Sequence, residues 1–203
     1  MIKNLAVTTA ITTIAEAEKR FNLSRATTTD FFKEWQNLEN IPQSYQSEIT
    51  KLYQRYLYHR SLGNLLENTV MLLLVSPLLA ITGLYDPPFQ IKAEESIEIV
   101  LTDSEEILTG RIDVLVLNAQ IWVIVLESKK TMLSVWSALP QTLAYMMANP
   151  SKHSCFGIFT NGDNLVFLKL KDNQYELSRV FSPLSSQSDL ETACQILLKL
   201  SNG

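Results

Sequence analysis

Apolar residues recur along this chain with two different periods, and the change from one to the other divides it. From Gln43 to Leu62 the spacing of Ile49, Leu52, Tyr53, Tyr56 and Leu57 is helical and amphipathic. Gly63 breaks that helix. A second one is predicted from about Leu65 to Thr82; it is apolar nearly all round, which implies burial, and Gly83 ends it. Residues 1 to about 45 read as irregular helix with an aromatic cluster at Phe31, Phe32 and Trp35. After the turn at Asp86-Pro87-Pro88 the period falls to two. Gln90–Leu101, Ile107–Leu117 and Ile121–Ser128 are predicted strands, separated by an acidic loop at Thr102–Glu106 and a turn at Asn118-Ala119-Gln120. A helix is expected from about Ser134 or Ser137 to Ala148, with Pro140 tolerated near its start. Cys155–Thr160 and Leu165–Leu170 read as strands around the Asn161-Gly162 turn, and Tyr175–Val180 as an edge strand. Ser188 with Glu191 three residues on has the pattern of a capping box opening a last helix.

Helices, three strands, helix, two strands and helix predict a mixed α/β (α+β) sheet flanked by helices. We expect residues 1–62 to form an N-terminal helical extension and residues 63–203 the main domain. The hydrophobic share of 46% against 19% charged suits a folded soluble protein. Leu5–Ala17 imitates a secretory leader, but four threonines interrupt it. Val70–Tyr85 is 16 residues long and contains Pro77, short of the roughly 20 apolar residues of a spanning helix. The expectation is therefore a cytoplasmic protein with no membrane partner, whose distant cysteines, Cys155 and Cys194, are reduced thiols.

The net charge of −4 gives no general attraction to nucleic acid. Residues 61–110 hold eight acidic residues and one lysine, so any face for phosphates must be local and assembled by the fold.

The chemistry concentrates at Gly110-Arg111-Ile112-Asp113 and Glu127-Ser128-Lys129-Lys130. None of the other ten lysines has an acid two positions before it. A hairpin turning near Asn118–Gln120 sets Asp113 beside Leu126 or Glu127, with cross-strand neighbours about 5 Å apart. Glu127 and Lys129 alternate onto one face. Two carboxylates and an ammonium at one sheet end suit a hard divalent cation and phosphodiester chemistry. The ordinary alternative is that Asp113 pairs with Arg111 and the rest is a solvated strand end. Gln141 and Tyr145 share a helix face that follows the Lys129 strand. Glu67, near the start of the buried helix, is either a helix-dipole partner or a third carboxylate. His59 and His153 are isolated, Trp35, Trp122 and Trp136 are expected in the core or at an interface, and Asn161-Gly162-Asp163 reads as a hairpin turn.

This set resembles the PD-(D/E)xK nuclease superfamily, and more closely the N-terminal nuclease domain of type I restriction enzyme R subunits. Glu67 with Ser76-Pro77-Leu78-Leu79, Gly110–Asp113, Glu127–Lys130, Gln141–Tyr145 and Thr160-Asn161-Gly162 carry the resemblance. Its core spans about Leu65–Leu170, and short stand-alone R-subunit-like restriction endonucleases resemble most of the chain. The resemblance implies a restriction-endonuclease-like sheet between helices and Mg²⁺-dependent DNA cleavage by a metal-activated water, with Mn²⁺ able to substitute. It makes Asp113, Glu127 and the Ser128 carbonyl metal ligands, Lys129 the catalytic lysine and Glu67 an accessory acid. Gln141 and Tyr145 would organise substrate or site, and Arg111, Lys130 and Tyr145 would contact substrate. Ile112 stands where the superfamily's name has proline. The chain has no Gly-x-x-x-x-Gly-Lys-Ser/Thr loop, so a motor or specificity subunit would be a separate partner; a double-strand cutter would need a homodimer. The competing expectation is a silent nuclease fold serving as a DNA-binding or assembly module.

Overall fold

The structure is a computed structural model that describes residues 3–27, 32, 35–101, 105–118, 121–150 and 154–202. Phe31, the centre of the acidic loop, Ala119 and Gln120 of the hairpin turn, and His153 lie outside the described residues.

The architecture is mixed α/β: one mixed sheet of eight strands with helices on both faces. In chain order the elements are β1 (Lys3–Ala6), α1 (Val7–Ala10), α2 (Ile14–Phe21), β2 (Ser24–Arg25), α3 (Gln43–Ser61), α4 (Glu67–Val70), α5 (Ser76–Ile81), β3 (Phe89–Leu101), β4 (Glu106–Asn118), β5 (Ile121–Ser128), α6 (Leu139–Met147), β6 (Cys155–Thr160), β7 (Leu165–Lys171), β8 (Gln174–Leu177) and α7 (Gln187–Ser201). Two cores follow from strand alternation. One packs Val7, Ile11, Phe21, Leu143 and Met146 against Leu115, Val125 and Phe159. The other packs Ile49, Leu52, Leu74, Leu78 and Leu197 against Val114, Val116, Leu126 and Ile158.

Strand β4 is the axis of the sheet. Along one edge it pairs with β3 over its whole length. Its other edge is shared: β5 pairs antiparallel with Val114–Asn118, and β1 pairs parallel with Glu106–Thr109. Gly110 to Asp113 fall between these two partners.

Four expectations about individual elements need correcting. Helix was expected through the first 45 residues, yet Lys3–Ala6 is a strand, because β4 outruns β5 and leaves backbone groups to be paired. The first 62 residues also seat side chains in both cores. The helix expected over 65–82 is continuous but widens to a π turn at Met71–Val75, where Ser76 N–H reaches the Met71 carbonyl. Pro77 has no N–H, and its ring would press on the Leu73 carbonyl of a regular helix, so the wider turn relieves both. The Ser188–Glu191 capping box does not form: α7 starts at Gln187, and Ser188 bonds Ser186. A capping box does close α2, between Thr13 and Glu16. Strand β8 spans Gln174–Leu177 and is not an edge, since β2 pairs with its outer side.

Val70–Tyr85 is folded into the second core, and among the described residues no helix is long and apolar enough to cross a membrane. Helix α3 is docked by the Asn161–Asn164 turn. Tyr56 Oη donates to Asp163 Oδ1 at 2.8 Å, and Arg60 Nε and Nη2 grip the same carboxylate at 2.9 and 3.0 Å. A Cβ at Gly162, where φ is +87°, would come within 2.6 Å of the Tyr56 hydroxyl. Replacing Asp163 with Ala strands both donors; we expect a loss of about 2–3 kcal/mol, measured by urea unfolding.

Candidate active site

The site occupies the stretch of β4 that neither β5 nor β1 covers. In the β4–β5 register Val114 lies opposite Leu126, so the next pair along is Asp113 with Glu127. Asp113 Oδ2 accepts the Ser128 backbone N–H at 2.7 Å, which fixes its carboxylate across the strand end. Arg111 pairs instead with Glu94, at 3.4 Å on the outer rim, so the ordinary Asp113–Arg111 pair does not form. Glu127 shares the α6 face with Val125 and is only 2% exposed.

Gln141, on the first turns of α6, uses its whole amide here. Its Nε2 donates to Glu127 Oε1 at 2.7 Å and to the Tyr145 hydroxyl at 2.8 Å, and its Oε1 accepts from Lys129 Nζ at 3.0 Å. A flipped amide would set oxygen against carboxylate, so the network dictates its orientation. Lys129 Nζ also donates to Glu127 Oε1 at 2.9 Å. Lys129 itself is anchored by its N–H to the Thr160 carbonyl at 2.8 Å. The Tyr145 hydroxyl meets the Arg111 N–H at 3.4 Å, in the gap between β1 and β5.

The open cleft over this network is about 530 Å³ and includes Glu67, Arg111, Asp113, Glu127, Lys129, Gln141 and Tyr145 in its lining. Lys130 is exposed just beyond Lys129. Glu67 reaches the cleft from the start of α4, where Ser128 Oγ contacts its backbone carbonyl at 3.5 Å.

Burial, then the charge of Asp113, pushes the Glu127 carboxyl up to about 8, against the pull of Lys129. Burial likewise raises Asp113, opposed by the Ser128 N–H and the Lys129 charge. Glu127 Oε2 is buried with no hydrogen-bond partner, a costly state for a carboxylate oxygen that a proton or a cation would relieve. Among the described residues no group of three His, Cys, Asp or Glu forms a ready-made metal cage. Two carboxylates, one with a spare buried oxygen, do fit magnesium, which takes few protein ligands and keeps water and phosphate oxygens for the rest.

Sequence reasoning missed parts of this cleft. Ala6 and Thr8 form one wall, and Ser96, Ile97 and Glu98 of β3 another. No local signal marks Ala6 or Thr8, because their place depends on β1 pairing about a hundred residues away. Gly110 was visible as part of a motif but not for its reason: a Cβ there would come within 2.5 Å of the Tyr145 ring.

No protein-family model and no curated protein matches the chain. Among solved structures it is similar to a fragment assigned as an HsdR subunit of a type I restriction enzyme from Vibrio vulnificus YJ016, at 20% identity and a TM-score of 0.41. The match covers 64% of this chain and 26% of that one, so this chain corresponds to about a quarter of it. At that TM-score the likeness carries no weight for the site.

Two outcomes follow from this geometry. Gly110→Ala should cost about 1–3 kcal/mol by overpacking against the buried Tyr145 ring, read as a lower urea midpoint. In metal-free protein the raised Glu127 carboxyl sets a pH dependence. Between its ordinary 4.5 and about 8 the folded state holds a proton that the unfolded state has released. The associated stability is complete below 4.5 and is lost as pH rises through about 8. Urea midpoints in chelator should fall from pH 5.5 to 8.5, and Glu127→Gln should flatten that fall.

Proposed function

We propose that this chain is a divalent-cation-dependent hydrolase of DNA phosphodiester bonds. One observation carries the reading: the Asp113 and Glu127 carboxylates converge with the Lys129 ammonium, while Glu127 Oε2 remains without a protein partner. Asp113, Glu127 and the Ser128 carbonyl are the residues that would hold Mg²⁺ or Mn²⁺. The ion, when bound, supplies a lowered pKa for attacking water and offsets charge on the scissile phosphate.

The chain's own residues do the rest. Asp113 is held by the Ser128 N–H so that its second oxygen is available to a cation. Lys129 spends two of its three N–H groups on Glu127 and Gln141, leaving one for a phosphate oxygen or the attacking water. Gln141 holds Glu127 and Lys129 in a fixed relation, and Tyr145 holds Gln141. Glu67 adds a third carboxylate to the rim. Arg111, on the rim beside Glu94, and the exposed Lys130 would contact flanking phosphates.

The observation favouring a silent binding module is the charge: a net −4 and an acidic cleft give little grip on a polyanion. One experiment separates the two. Supercoiled and single-stranded DNA are incubated with protein and Mg²⁺ or Mn²⁺, wild type beside Asp113→Ala and Lys129→Ala. The nuclease reading expects cleavage that stops in chelator and falls at least about 100-fold in each variant. A folded wild type that binds no metal and cuts neither substrate would sink it.

A further inference from the structure

Glu67 lines the cleft from a helix whose first turn lacks the usual means of being fixed. Helix α4 has no side-chain cap, and Leu66 at its N-cap is apolar and exposed. The linker before it, Leu62 to Asn64, is exposed as well. Leu65 is the exception: it is buried, and its side chain joins the second core. Its backbone is thereby taken out of water, and both polar groups need partners. Thr131 supplies both. Leu65 N–H donates to Thr131 Oγ1 at 3.0 Å, and the Leu65 carbonyl accepts the Thr131 N–H at 3.2 Å.

Thr131 is buried but does not line the cleft. It belongs to the short loop that leaves Lys129, and the β6–β7 turn holds that loop at both ends. The Thr160 carbonyl accepts the Lys129 N–H at 2.8 Å, and Asn161 Nδ2 donates to the Leu133 carbonyl at 2.7 Å. The turn is itself fixed: Asn161 Oδ1 accepts the Asn164 N–H and Thr160 Oγ1 accepts the Gly162 N–H, each at 2.9 Å. From the other side Arg60, which grips Asp163 of the same turn, donates to the Gly63 carbonyl at 3.1 Å. The segment leading into α4 is therefore fastened to the turn that anchors Lys129.

This fastening bears on one carboxylate of the three. Asp113 and Glu127 are placed by the β4–β5 ladder and by bonds of their own. Glu67 has no ladder, and among the described residues no hydrogen bond or ion pair fixes its carboxylate. Where that group lies depends on where the backbone starts the helix. Packing of Val70 and Leu74 holds the helix axis, but the first turn precedes them, and helix ends fray. Ser128 Oγ touches the Glu67 carbonyl only at 3.5 Å. The closer bonds are those of Thr131, two residues before the glutamate.

We propose that Thr131 is a positioning residue of the site: by clamping the Leu65 backbone to the loop after Lys129, it keeps the Glu67 carboxylate in the cleft with Asp113 and Glu127, where a third negative charge strengthens the hold on a divalent cation. This assignment rests on the cation-dependent reading above.

The test is Mn²⁺ binding to the intact chain without DNA, followed by calorimetry. Thr131→Val puts a methyl group of similar size in place of the hydroxyl and strands the Leu65 N–H. Its Mn²⁺ affinity should fall about fivefold, as should that of Glu67→Gln, and the double variant should bind no more weakly than Glu67→Gln alone. Thr131→Ser keeps the hydroxyl and should bind as wild type does. If Thr131→Val does not fold, Thr131→Ala, which leaves room for a water at the Leu65 N–H, takes its place. Undiminished affinity in the folded Thr131 variant would overturn the proposal, as would a Glu67→Gln protein that binds like wild type. So would a loss that recurs in full in the Glu67→Gln background, since no carboxylate remains there to be positioned, or a Thr131→Ser protein as weak as Thr131→Val. A wild type that binds no Mn²⁺ would remove the proposal together with the cation-dependent reading. The expected coupling without DNA cleavage would remove the hydrolytic reading and leave Thr131 its role. Cleavage by a wild type whose Mn²⁺ affinity is indifferent to Thr131 would remove the positioning role alone.

Discussion

The carboxylate of Glu127 is the group around which this protein is arranged. Burying it is expensive, and the chain offsets only half of that cost. Oε1 takes two donors, from Lys129 and Gln141, while Oε2 has none. Each donor is itself positioned by something larger. Lys129 is tied through its backbone to β6, and Gln141 is held by α6 and by the Tyr145 hydroxyl. A helix, two strands and a loop thus converge on one oxygen while its buried twin has no partner. An arrangement made for stability alone would have satisfied both.

Sheet topology explains why the cleft lies where it does. A β-strand has two edges, and β4 gives one of them to β3 throughout. The other passes from β5 to β1, and no ladder covers Gly110 to Asp113. Side chains reach the strand's backbone in this gap. Tyr145 uses it to reach the Arg111 N–H, which requires Gly110 to have no side chain, and Asp113 uses it to bond the neighbouring strand's end.

Much of this was legible in the sequence for a physical reason. The apolar runs on either side of the turn brought Asp113 beside Leu126 or Glu127; counted from Asn118 opposite Ile121 it would face Leu126, and a bulge between Val116 and Leu117, which no sequence pattern marks, shifts it to Glu127. Gln141 and Tyr145 are four apart on a helix, and their shared face is equally local. What escaped depends on partners distant in sequence or on competition between caps. The strand at Lys3–Ala6 has polar and apolar residues in no clear order and is a strand only because β4 is there. The π turn before Pro77 follows from a clash no periodicity records. At the start of α7, Asp189 takes the Ser182 N–H and an Arg179 guanidinium, and the serine–glutamate pattern beside it lost that competition.

The short pairing of β1 with β4 has a bearing on how the molecule opens. Four residues of ladder join segments about a hundred positions apart, so this contact closes a long loop for little backbone gain. What keeps it shut is the packing of Val7, Ile11 and Phe21 behind it. In the hierarchy of local unfolding, this segment belongs near the bottom of the free-energy scale, well below β4 through β7. Opening there would move the wall of the cleft that carries Ala6 and Thr8 and leave paired the β4–β5 and β5–β6 ladders that carry the carboxylates and lysine.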